Sequence, residues 1–208
     1  MRVQSKLEEQ LNAWTHGIGA VFGILALVLL LMYSDSTKPW NLFSVVVYGV
    51  SIIILFLAST FYHAVSSKKR KHYFRIIDHI SIYFLIAGTY SPVLLISLSD
   101  SLGWTLFYVV WGIAGIGVIL KLFFTGRFEV FSTLLYLFMG WLIVFDFDNL
   151  SQVIGANGIF WLMAGGAFYT IGIVFYAVQR LPYNHVIWHL FVLGGAICHF
   201  LMIFKYVI

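Results

Sequence analysis

Seven apolar segments fill almost the whole chain, each close to the roughly 20 residues that a helix needs to cross the hydrocarbon core of a bilayer. They lie at about 13–33, 41–65, 76–97, 104–124, 129–147, 157–179 and 184–206. The connections are short and carry turn and charge signals: "SDSTKPW", "SSKKRKHYFR", "LSDSLG" and "QRLPYN". This leaves no room for a separate soluble domain, so the sequence predicts an all-α, polytopic integral membrane protein of one domain over residues 1–208, in the cell membrane. Hydrophobic residues make up 62% and charged residues 10%, a balance that excludes a nucleic-acid-binding domain. Glu8 and Glu9 precede the first segment and no small-residue cleavage site follows it, so it is expected to be a retained helix rather than a signal peptide. Cys198 is the only cysteine, which rules out an internal disulfide.

The basic residues give an orientation. With the N-terminus in the cytoplasm, ten of the twelve lysines and arginines fall inside, and only Lys38 and Lys205 fall outside. Seven spans then place the C-terminus outside. Gly19 with Gly23, and Gly112 with Gly115, are candidates for close helix approach. Pro92 is expected to kink the third span.

The polar residues within these segments gather at one level. His185 and His189 are four residues apart at the cytoplasmic start of the last span, so a helix brings them to one face about 6 Å apart. His63 ends the second span just before the basic stretch, at the same depth, and the three can meet on one ion. His199 lies ten residues beyond His189, about 15 Å along the axis, and is read as structural. Asp78 enters with the third span, Ser59 stands one turn before His63, and Glu9, Asn12 and His16 form a stripe at the start of the first span. His72 is assigned to a solvated basic loop, and His79 is expected to point about 100° away from Asp78.

Other readings of single residues stand beside these. A lone intramembrane histidine commonly packs between helices through a hydrogen bond. Asp78 could be an acid at a helix N-terminus, Ser59 could bond its own backbone, and Glu9 with Asn12 could form a helix cap. Three imidazoles together are different, because burying them separately costs several kcal/mol that a shared ion offsets. Three neutral nitrogen ligands with an open position point to zinc, although other late divalent metals accept the same set. "HVIWH" lacks the glutamate of HExxH proteases, so a base is expected elsewhere, and Asp78 is the buried carboxylate expected in reach.

These residues resemble the progestin and adipoQ receptor family, most closely its bacterial hemolysin III branch. The family pattern is Glu-x-x-Asn-x-x-x-His before the first helix, Ser-x-x-x-His ending the second, an Asp opening the third and His-x-x-x-His opening the seventh. Glu9, Asn12 and His16, Ser59 and His63, Asp78, and His185 and His189 match it in order. The resemblance implies a seven-helix fold with a cytoplasmic N-terminus, zinc on His63, His185 and His189, and a water near Asp78. A more distant similarity to alkaline ceramidases implies hydrolysis of lipid amides. The expectation is a zinc-dependent hydrolase of amide or ester bonds in membrane lipids, with Asp78 as base and Ser59 holding the water or the oxyanion. The alternatives are a receptor or regulator of membrane lipid state with structural zinc, and a cytolysin.

Overall fold

The computed structural model describes residues 4–35 and 37–208, and the described residues contain helices and no strand. The long helices are α1 (Lys6–Tyr33), α2 (Asn41–Ala64), α3 (Lys68–Pro92), α4 (Gly103–Phe124), α5 (Glu129–Gly140), α6 (Phe147–Ala177) and α7 (Asn184–Tyr206). Six helical stretches are long and apolar enough to cross a membrane, with α5 and α6 forming one stretch over Glu129–Ala177. This is a multi-pass membrane protein, and its outer surface agrees: Trp14, Val21, Phe123, Val130 and Phe160 are all exposed.

Several boundaries move from those expected. "KKRKHYFR" is helical, the first turns of α3, because lysine and arginine are good helix formers even where they end an apolar run. His72 is exposed as expected, but on a helix rather than a loop. Pro92 has no N–H to continue the ladder, and the chain passes into a π-helical turn at Val93–Ser97, with the Leu98 N–H bonded to the Val93 carbonyl at 3.1 Å. After α5 a 3₁₀ turn covers Leu142–Asp146, and α6 is broken at Gly155, whose φ of 64° and ψ of 178° are not helical.

α1 and α7 run in the same direction. Asn12 meets His189, Phe22 meets Phe200, and Tyr33 meets Phe204. α4 and the α5 stretch are tied together at both ends: Lys121 bonds Glu129, while Asp146 accepts from the Ser101 hydroxyl and the Leu102 N–H. α6 and α7 lie antiparallel, with Gly172 against Trp188 and Phe191 and Gly165 against His199. Gly19 and Gly23 admit Phe56, Ile52 and Ile53 of α2, as their spacing suggests. Gly112 and Gly115 bring no other helix close among the described residues of this chain, since a side chain at either would meet nothing within 4 Å.

Candidate metal centre

His63, in the last turn of α2, and His185 and His189, in the first two turns of α7, come together. One ring nitrogen from each lies within 4.8 Å of the others, and the ring centroids are 4.6 to 5.1 Å apart. Two of the rings have partners that fix their protons. His63 Nδ1 donates to Glu9 Oε2 at 2.7 Å, and the other Glu9 oxygen accepts from Lys71 Nζ at 2.7 Å. His189 Nδ1 faces the Asn12 carbonyl at 3.3 Å and the Thr15 hydroxyl at 3.4 Å. With Nδ1 protonated, Nε2 of each ring keeps its lone pair, and Nε2 of His63 is buried without a hydrogen-bond partner among the described residues.

That arrangement fits a metal. A histidine ligand ordinarily gives its second N–H to a carboxylate or a backbone carbonyl, which sets the tautomer and the ring orientation. Zinc with bonds of about 2.0–2.1 Å holds its ligands roughly 3.3 Å apart, a small closure from the spacing found. His16, buried at 3% exposure, stacks flat on His189 with centroids 3.5 Å apart and planes 9° from parallel. Neither of its ring nitrogens has a partner among the described residues.

α1 supplies this support because its first turn is anchored elsewhere. The helix cap is a reciprocal pair formed by Ser5 and Glu8, not by Glu9 and Asn12. The second oxygen of Glu8 accepts the backbone N–H of Tyr183 at 3.0 Å. Tyr183 holds a left-handed conformation, φ 55°, a strain of roughly 1–2 kcal/mol that this bond helps to hold at the start of α7. Glu9 is thereby free to turn to His63; the sequence led to the expectation that Asp78 is the carboxylate in reach of the histidines, and the structure adds Glu9 to it.

Asp78 and Ser59 lie beside one another and line a cavity of about 390 Å³ together with His16, His185 and His189. The Ser59 hydroxyl is buried and makes no hydrogen bond of good geometry. His63 lines a separate, more open cleft, which Glu9 and Lys71 also line. From the histidines the cavity runs between apolar walls that include Leu55, Ile82, Ile86, Leu137 and Val192.

His79 does not stand apart from Asp78. Its Nδ1 donates to the Arg75 carbonyl at 2.7 Å and lies 3.6 Å from Asp78 Oδ2. Its Nε2 lies 3.8 Å from Glu129, which also takes Arg75 at 3.1 Å and Lys121 at 3.0 Å. Sequence reasoning missed this cluster, having counted Lys121 only as a cytoplasmic charge. The signal was available: an ionisable residue inside an apolar run needs a partner, and Lys121 is 1% exposed.

A family model described as Haemolysin-III related matches residues 4–200. Hemolysin-3 of Bacillus cereus is 46% identical over 202 residues, covering 97% of this chain and 92% of that protein. The Hemolysin-3 homolog of Bacillus subtilis (strain 168) is 42% identical, with 96% and 94% covered. The human monocyte to macrophage differentiation factor is 32% identical over 208 residues, with 96% and 84% covered.

Proposed function

The chain belongs to the haemolysin-III related family, and on that premise we propose that it is a zinc-dependent hydrolase of amide or ester bonds in membrane lipids. The observation that carries this reading is the orphaned Nε2 of His63, set among His185 and His189 next to a cavity lined by Asp78. His63, His185 and His189 hold the ion. Bound zinc supplies Lewis acidity toward a carbonyl and lowers the pKa of water.

The chain's own groups do the rest. Glu9 and the Asn12 carbonyl hold the His63 and His189 rings with Nδ1 protonated. The apolar walls take the acyl chain and keep bulk water from the reacting carbonyl. Asp78 takes a proton from the attacking water as the new C–O bond forms, then returns it to the departing amine or alcohol as the old bond breaks. The Ser59 hydroxyl donates to the developing oxyanion or positions the water.

The same reading has seven spans, with the N-terminus in the cytoplasm and the C-terminus outside. It is supported by the ties of α5 to both ends of α4, by the parallel course of α1 and α7, and by the charge distribution. A regulator of membrane lipid state with zinc as a clasp is the second reading, favoured by the Lys71–Glu9–His63 chain that joins three helices. A lytic role, which the name of the Bacillus cereus relative suggests, draws no support from polar groups turned inward.

Purified, zinc-loaded protein incubated with a total lipid extract of its host should release fatty acid, detected by mass spectrometry. Asp78→Asn should keep its zinc and lose at least about a hundredfold in rate, the lower end of general-base contributions. His189→Ala should lose both. If Asp78→Asn retains zinc and full function, the hydrolase reading fails and the clasp takes its place.

A further inference from the structure

The cavity that begins at the histidines ends at a second polar point. His199 also lines it, ten residues after His189 on α7 and therefore about 15 Å further along the helix axis. The ring edge that carries Cδ2 and Nε2 is packed against α6, in space that exists because residue 165 is glycine. Nε2 lies 3.2 Å from the Leu162 carbonyl. A carbonyl only accepts, so Nε2 holds the proton and Nδ1 is left as a lone-pair acceptor. Nδ1 is buried and has no hydrogen-bond partner among the described residues.

Several other polar groups that line the cavity are already engaged. The Tyr90 hydroxyl donates to the Gly140 carbonyl and accepts from the Ile143 N–H, the Thr89 hydroxyl bonds Leu85, and Trp141 donates to Thr170. The cavity wall is open beside them, since a Cβ on Gly140 or Gly166 would meet nothing within 4 Å. We infer that His199 Nδ1 recognises a hydroxyl carried partway along the chain of a bound lipid, so that the cavity selects hydroxylated acyl chains over unsubstituted ones.

This inference rests on the reading of the cavity as an acyl-chain site, and it adds the substrate class. It also has a chemical direction. An unprotonated imidazole nitrogen accepts from a hydroxyl and gains nothing from a ketone at the same carbon, because both would be acceptors.

Three free acids separate the possibilities without turnover, since none carries a scissile bond: octadecanoic, 12-hydroxyoctadecanoic and 12-oxooctadecanoic acid. Binding to zinc-loaded protein in nanodiscs can be followed by the fluorescence of Trp141 and Trp188, which line the cavity. The hydroxy acid should bind about tenfold more tightly than the other two, the effect of one hydrogen bond to a buried acceptor. His199→Phe should bring the three acids level while leaving the affinity for octadecanoic acid and the zinc content unchanged. Equal affinities in the unmodified protein overturn the inference, as does a preference for the hydroxy acid that survives in His199→Phe. Binding of all three without preference leaves the acyl cavity standing and removes only the role of His199. Failure of every acid to bind removes both.

Discussion

Glu9 accepts the hydrogen bond from Nδ1 of His63, so its effect on a metal held at Nε2 is indirect but measurable. Glu9→Gln can still accept from Nδ1 yet loses the charge that makes the imidazole more basic, and zinc affinity should fall roughly ten- to a hundredfold, the usual cost of a second-layer change. Competition with a chelator of known affinity measures this, with His199→Ala as the control that leaves zinc unchanged. An unchanged affinity in Glu9→Gln would mean that His63 is oriented by packing alone. The three histidines were legible in the sequence because helical spacing and topological depth both act along the chain axis. Which partner each side chain chooses was not legible. Glu8 and Glu9 are adjacent acids, and only the tertiary position of Tyr183 and His63 assigns one to a backbone N–H and the other to a ring.

Helix ends carry the ionic contacts that hold elements in register. Glu129, first residue of α5, joins Arg75 of α3 to Lys121 of α4, and Lys121 is almost wholly buried. Glu129→Gln leaves that ammonium without its counter-charge in a poorly solvated place, and removing one partner of a buried pair costs about 3–5 kcal/mol. Thermal unfolding in detergent should show a marked fall in midpoint, and Lys121→Met combined with Glu129→Gln should recover much of it. A single variant as stable as the unmodified protein would show that water reaches Lys121. The extent of α3 was misjudged for a related reason: hydropathy ends at the basic residues, whereas the backbone ladder continues through them. The π-helical turn after Pro92 was foreseen only as a kink, since the missing N–H locates a disturbance without saying how the next carbonyls are satisfied.

For the whole molecule, the charge asymmetry and the parallel course of the first and last helices lead to one expectation about the membrane. A reporter joined after Ile208 should be active on the outside, and one inserted at the short turn 65–67 should report the cytoplasm. Both on the same side would exclude an odd number of spans. The all-helical, multi-pass architecture was readable from segment length alone, but the Gly155 break within α6 was not, because four other glycines of that helix leave it intact. The meeting of α1 with α7 also sets an order of events during synthesis. A chain growing at about 5–20 residues per second adds His185 and His189 on the order of ten seconds after His16 has been made. Through that interval Glu8, Asn12 and His16 stand on the first helix before α7, with Tyr183 and His189, has arrived. A product released before its last helix therefore carries at the bilayer surface a polar stripe that the finished chain buries, by which an incomplete chain differs physically from a finished one.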